Sequence, residues 1–413
     1  MPELTPFVIL GLIAGLYMAW TIGANDVANA MGTSVGSKAL TLGTAIIVAA
    51  VFEFCGAFLA GGHVAGTIRG EVVRLGAFAD ESHTVGVGML SALVAAAIWL
   101  HIATWRGWPV STTHAIIGAV AGFGVFVGGL GAVRWDVILR IAASWVVSPF
   151  LGGVMAWLLF TIVRKLVFGA ERPLQRARIV TPVIVGAVAA VLTLSMIYKG
   201  LKNLRLDLPA SQAFAYSVLV GVVAALGTVP LLRRRVAADA PYDVQIQAVE
   251  RQFRYLQVVT ACYVAFAHGS NDAANAVGPM AAVLNVGRGP LGERVDVPAW
   301  VMAFGGVGIV LGLATYGYKV IYTIGSKITE VTPSRGFAME FATASVVLFG
   351  SKLGLPVSTT HILIGAVVGV GFARGMAAIN TRMIAQIVWS WLVTLPVCAT
   401  LAAILYALLI RLL

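Results

Sequence analysis

Gly23-Ala24-Asn25-Asp26-Val27-Ala28-Asn29-Ala30 returns almost letter for letter as Gly269-Ser270-Asn271-Asp272-Ala273-Ala274-Asn275-Ala276, 246 residues later. A second stretch, Trp108-Pro109-Val110-Ser111-Thr112-Thr113-His114, returns as Leu355-Pro356-Val357-Ser358-Thr359-Thr360-His361 at an offset of 247, and both copies run on into Ile-Gly-Ala-Val. Two motifs displaced by nearly one distance mark a duplication, a common construction of membrane transporters. The duplication divides the chain into a first repeat over 1–165, a second over 250–413, and a central pair of transmembrane helices with cytoplasmic connecting loops over 166–249.

Composition places the repeats in a bilayer. Of 413 residues, 59% are hydrophobic and 11% charged, with a mean hydropathy of +0.93; a soluble chain carries about a quarter charged residues. A soluble enzyme and a nucleic-acid binder are thereby excluded, although the net charge is +11. Spanning the hydrocarbon core takes about 20 apolar residues, and twelve such segments are predicted: 5–30, 40–61, 85–105, 109–130, 135–163, 179–198, 211–232, 256–284, 299–325, 337–350, 357–373 and 383–411. Neither a basic leader nor a small-residue cleavage site marks the start as a removable signal. Cys55, Cys262 and Cys398 fit no metal spacing and read as small apolar residues.

Cytoplasmic loops are enriched in Lys and Arg. With both termini outside, the inner loops carry 16 of the 28 basic residues and the outer ones 10. Arg233-Arg234-Arg235 reads as part of that topology signal. Seven spans separate the two repeat starts, and an odd number turns the second repeat over relative to the membrane; if Ser111–Gly131 dips in and returns on one side, the parity changes unless another segment does the same. The expected fold is therefore an all-α polytopic membrane protein, with about twelve transmembrane segments in two inverted repeats and broken helices or hairpins at the repeat interface.

Each repeated motif has a chemical reading. Asp26 and Asp272 stand in apolar surroundings, where a carboxylate costs a few kcal/mol and marks a functional site. The glycine ahead of each is expected to let the helix break, freeing carbonyls that join carboxylate and amide oxygen as hard ligands for Na⁺ or a proton. Pro-Val-Ser-Thr-Thr-His reads as a helix start: proline ends one segment, Ser or Thr caps the next, and N–H groups with adjacent hydroxyls favour a small oxyanion. No Lys or Arg adjoins either copy, so counter-charge must come from dipoles and co-bound cations, which points to cation-coupled anion symport. Glu53 and Glu340 lie within apolar runs, as coupling groups or as partners of Lys319, Arg140 or a Trp N–H. His114 and His361 close the hydroxyl motif, as proton sensors or as braces for the backbone. His63, His101 and His268 have no repeated counterpart and read as structural.

The doubled Gly-Ala/Ser-Asn-Asp and Pro-Val-Ser-Thr-Thr-His motifs resemble those of the inorganic phosphate transporter family. Gly32-Thr33-Ser34-Val35-Gly36-Ser37-Lys38, Phe52-Glu53-Phe54 and His63-Val64-Ala65-Gly66-Thr67-Ile68-Arg69 are similar to its sodium-coupled branch. The resemblance implies phosphate at the repeat interface, held by Ser111, Thr112, Thr113, Ser358, Thr359 and Thr360 with Asn25 and Asn271 nearby. It implies sodium at Asp26, Asn29, Asp272 and Asn275, and Glu53 and Glu340 match positions associated with coupling; His114 and His361 join them as gating candidates on the motif's own chemistry. Met89 stands where animal relatives often carry glutamate, and 165–250 lacks their long cytoplasmic loop. The expected protein is thus a non-enzymatic plasma-membrane symporter importing inorganic phosphate with Na⁺ by alternating access, without a resident cofactor, surrounded by lipid and compatible with a homo-oligomer. The alternatives are a proton-coupled phosphate or sulfate permease of the same fold and, more remotely, a membrane-embedded phosphotransferase.

Overall fold

A computed structural model describes residues 5–61, 72–74, 82–199, 208–232, 240–286, 297–326, 328, 330–375 and 379–413. The sequence signals at 63–69 and 233–235 lie outside them. The described residues form thirteen helices: α1 (Pro6–Gly36), α2 (Leu42–Ala60), α3 (Ser82–Trp105), α4 (Thr112–Gly128), α5 (Trp135–Val163), α6 (Pro173–Lys199), α7 (Ala210–Leu232), α8 (Tyr242–Leu284), α9 (Ala299–Tyr316), α10 (Tyr318–Ser326), α11 (Pro333–Lys352), α12 (Thr359–Arg374) and α13 (Thr381–Leu409). All twelve predicted segments appear, the ninth divided between α9 and α10. The first helix of the second repeat starts ahead of residue 250, at Tyr242.

Polar residues fix the helix starts. Thr5, Thr41, Ser111, Ser358 and Asn380 each accept a backbone N–H of the first turn they cap, satisfying a donor that a helix end in lipid would leave bare. Among the described residues eight helices are long and apolar enough to cross a membrane, whereas Thr112–Gly128 and Thr359–Arg374 are shorter. At 1.5 Å per residue those two reach only about 25 Å, less than the roughly 30 Å hydrocarbon core. Each pairs with the helix before it, α3 with α4 and α11 with α12, as a hairpin whose turn carries the Pro-Val-Ser motif.

Contacts at the helix ends set the direction of each hairpin. At one end of the molecule Arg254 donates to the Ala39 carbonyl, Tyr242 to the Phe168 carbonyl, the Leu174 N–H to Gln245, and Arg374 to Glu330. That end gathers the finish of α1, α5 and α12 with the start of α6, α8 and α11, and the second hairpin opens there. At the other end Phe7 meets His83, Val73 bridges Val133 and Tyr406 meets Phe123; the first hairpin opens there, beside both chain termini. The hairpins therefore enter from opposite sides, as inverted repeats require. Lys38, Arg164, Lys165, Arg172, Arg176, Arg178, Arg251, Arg254, Arg335 and Arg374 all belong to the first end, in agreement with the loop count. Arg106 and Lys352, counted among the loops, stand instead at the hairpin turns.

Helix packing repeats the exchange. α1 packs on α9 as α8 packs on α2, α3 on α1 as α11 on α8, and α4 on α13 as α12 on α5. One expectation fails here, because α1 and α8 run unbroken through the Gly-Asn-Asp motifs. The glycines serve packing instead of a break. A Cβ on Gly23 would strike the backbone of Ile309, and one on Gly269 the backbone of Glu53, so each marks where α9 or α2 crosses at backbone contact. Gly269→Leu is expected to cost at least a few kcal/mol through overpacking and to lower the yield of monodisperse protein in size-exclusion chromatography. Gly43→Ala, at an open position on α2, should leave the profile unchanged.

Candidate transport site

Both motifs converge where the hairpin turns meet α1 and α8. The Thr112 hydroxyl donates to Asp26 Oδ2 at 2.8 Å, and Thr359 to Asp272 Oδ2 at 2.6 Å. Each aspartate also reaches across the repeats: Thr360 donates to Asp26 Oδ1 at 3.3 Å and Thr113 to Asp272 Oδ1 at 3.4 Å. The same hydroxyls lie within bonding distance of the opposite turn, Thr113 on the Val357 carbonyl and Thr360 on the Val110 carbonyl. Each turn is thus braced by the other repeat.

The amides complete the frame. Asn29 donates to Asp26 at 3.1 Å and to Thr360 at 2.8 Å; Asn275 donates to Asp272 at 3.1 Å and to Thr112 at 3.1 Å. The side-chain oxygens of Asn29 and Asn275 are buried and unpartnered among the described residues. Buried acceptors without donors are uncommon, and a cation is the natural complement of such an oxygen beside a carboxylate. Asn25 and Asn271 tie the motif helices to the hairpins: Asn25 donates to Thr104 and the Trp108 carbonyl and accepts from the Val110 N–H, while Asn271 donates to the Val357 carbonyl and accepts from Ser351.

Ser111 and Ser358 are the helix caps, accepting the His114 and His361 N–H groups at 3.1 and 3.3 Å. That leaves the N–H groups of Thr112, Thr113, Thr359 and Thr360 in first-turn positions with no acceptor inside their helices. Two helix N-termini with four threonine hydroxyls suit an oxyanion. Behind them the His114 and His361 rings meet with centroids 4.4 Å apart, each against a tryptophan, Trp145 at 3.7 Å and Trp391 at 3.6 Å. The histidines thus lie behind the turns, packed ring on ring at the repeat interface.

Glu53 finds a partner that the sequence reading left aside. His268, on α8 one turn before Asp272, is fully buried with Nδ1 at 3.2 Å from Glu53 and Nε2 at 3.3 Å from Asp272 and 3.7 Å from Asp26. Its ring therefore joins all three carboxylates. His268, read from the sequence as structural, stands at the centre of the cluster: Asp26, His268 and Asp272 each bring one ligand-capable atom within 4.8 Å of the others. The signal was its spacing, since residues four apart share a helix face. The other expected partners of Glu53 are engaged elsewhere, Arg140 with Asp136 and Lys319 over the Tyr316 ring. His101 accepts or donates a bond with the Tyr17 hydroxyl.

Glu340 forms a second buried site. Thr33, Ser34 and Gln257 donate to Oε1 at 2.7, 2.7 and 3.1 Å, and Thr260 donates to Oε2 at 2.7 Å. Thr33 lies two turns beyond Asp26 along α1, about 10 Å at helical rise. Met89 is buried in the apolar core on α3, so no carboxylate enters from that position.

Two inverted hairpins meeting beside buried carboxylates define a secondary transporter. Residues 22–402 match the model of the Phosphate transporter family, to which the chain belongs. Among relatives, it is 45% identical to the chloroplastic inorganic phosphate transporter 2-1 of Arabidopsis thaliana, covering 95% of this chain and 70% of that protein. A solved structure titled the sodium-dependent phosphate transporter superposes with a TM-score of 0.91 at 40% identity, covering 99% of this chain and 100% of that one. The protein is a multi-pass membrane transporter rather than an enzyme.

Proposed function

We propose that the protein imports inorganic phosphate in symport with Na⁺ across the plasma membrane, with the basic end cytoplasmic and both termini outside. The observation that carries this reading is the bonding of Thr112 and Thr359 to Asp26 and Asp272. Hydroxyls that would hold a phosphate oxygen donate to carboxylates, and those carboxylates repel the same anion. A cation taken up by Asp26, Asn29, Asp272 and Asn275 offsets that charge and releases the hydroxyls to donate to phosphate. Each ligand then raises the affinity of the other by one factor, as linkage requires.

Phosphate accordingly sits between the turns, held by Ser111, Thr112, Thr113, Ser358, Thr359 and Thr360 with Asn25 and Asn271 steadying the backbone. Glu53 and Glu340 are coupling groups, the first through His268 and the second through its contacts on α1 and α8. His114 and His361 gate by moving with the turns. Sodium is cargo, and the side-chain chemistry calls for no resident cofactor. Alternating access follows from rocking the two inverted units around this fixed site. Homo-oligomerisation fits the long apolar faces left at α6 and α7, and lipid covers whatever such contacts do not.

Uptake of radiolabelled phosphate into proteoliposomes tests the reading. A Na⁺ gradient should drive accumulation, with sulfate competing poorly. Uptake that follows a proton gradient and ignores Na⁺ would sink the coupling, and stronger competition by sulfate would sink the substrate. Thr112→Val together with Thr359→Val should weaken phosphate affinity by about 100-fold or more, since the two lost bonds to a charged oxygen are worth ~1.5 kcal/mol or more each; the KM of uptake reads it.

A further inference from the structure

A pocket of about 490 Å³ lies at the basic end, between the finish of α1 and the start of α8, lined by Ser37, Lys38, Gln247, Glu250, Arg251 and Arg254. Three cations face a single carboxylate there, and that carboxylate is committed. Glu250 accepts the Ser334 N–H at 2.9 Å and the Ser334 hydroxyl at 2.8 Å, capping α11. Among the described residues no ion pair engages Lys38, Arg251 or Arg254. Arg254 is held through Nε on the Ala39 carbonyl at 3.0 Å, which sets its guanidinium at the pocket wall.

Lys38 supplies the second observation. Among the described residues it is the non-glycine one with left-handed backbone, φ 61°, at a helix-terminal position where glycine is the usual occupant. A lysine accepts that conformation at a cost of about 1 kcal/mol or more, and the result is a lysine lining the same pocket as two arginines. Depth along α8 gives the setting. Arg254 and Arg251 lie about 27 and 31 Å of helical rise from Asp272, past half of a bilayer about 40–45 Å thick with its headgroups, so the pocket opens on the water side of the bilayer, at the outer edge of the headgroups.

We propose that this pocket binds a phosphate group, apart from the translocation site. Arginine forks match tetrahedral phosphate oxygens, and basic pockets between helices at this level take lipid headgroups. The phosphate belongs either to an anionic phospholipid or to inorganic phosphate on the basic side. The pocket also touches the interior, because Ser37 donates to Gln257 at 2.7 Å and Gln257 donates to Glu340. Its occupancy thus bears on a carboxylate of the coupling network. The inference stands whichever cation drives uptake.

The test uses the full chain in nanodiscs, as wild type and as the double variant Arg251→Gln, Arg254→Gln. In pure phosphatidylcholine, radiolabelled inorganic phosphate counts the free-anion form: wild type should bind one more equivalent than the variant, which keeps the translocation-site equivalent as its own folding control. With phosphatidylglycerol added, native mass spectrometry counts the lipid form: wild type should retain one more phosphatidylglycerol than the variant. Gln247→Glu leaves the cations in place and sets a carboxylate in the pocket. It should weaken whichever ligand is found by about tenfold, and it decides the matter if the double variant does not fold. Equal phosphate and equal phosphatidylglycerol for wild type and the folded variants would overturn the proposal.

Discussion

Asp26→Asn and Asp272→Asn should each reduce Na⁺-driven phosphate uptake by about 100-fold, the factor that ~3 kcal/mol of lost cation stabilisation carries. Asparagine can still accept the Thr112 or Thr359 hydroxyl through its amide oxygen, so the braced turns should survive and the protein should remain folded. The deficit is in charge. Two carboxylates beside four hydroxyls need cations before an anion can enter, and removing one carboxylate removes most of the reason for sodium to bind. The measurement is the initial uptake rate against Na⁺ concentration in proteoliposomes, with a thermal melt as control. Variants that both kept wild-type Na⁺ dependence would refute the assignment of the cation to this pair.

His268→Ala should be strongly destabilising. The imidazole lies between Glu53, Asp272 and Asp26, and an imidazole donates from both nitrogens only in its protonated form. Deleting it leaves Glu53 in the membrane interior without its described partner. Breaking one side of a buried ionic contact costs about 3–5 kcal/mol, so a melting temperature lower by many degrees is expected. The companion variant His268→Ala with Glu53→Gln removes the stranded charge and should recover a large part of that loss. No recovery in the double variant would mean that His268 acts by packing rather than by facing Glu53.

The repeat and both motifs were legible because side-chain chemistry is written locally, and the structure brings Asp26, Asn29, Thr112 and Thr113 together with Asp272, Asn275, Thr359 and Thr360. The two hairpin helix starts were legible as well, as a Ser or Thr cap after Pro-Val, and the structure gives the cap to Ser111 and Ser358. The unbroken α1 and α8 were not legible. A glycine beside a carboxylate reads equally as a break or as a crossing point, and only the positions of Ile309 and Glu53 decide between them. His268 has no repeated counterpart, so nothing in the duplication marks it. The donors to Glu340 were hidden because Thr33, Ser34, Gln257 and Thr260 meet only after three helices pack.

The missing counterparts have a meaning of their own. Under the exchange that carries Asp26 onto Asp272, His268 falls on Ile22 and Glu340 on Leu93, while Glu53 falls on Ile309, as the matched crossings at Gly269 and Gly23 show. In a perfectly duplicated carrier, the two orientations of the cavity are mirror tasks of equal energy, and neither side of the membrane is preferred at rest. Three ionisable groups against three aliphatic ones abolish that degeneracy. If the two units rock as proposed, the resting bias of the carrier, and with it the ease of running backward, is set by Glu53, His268 and Glu340 rather than by the paired motifs.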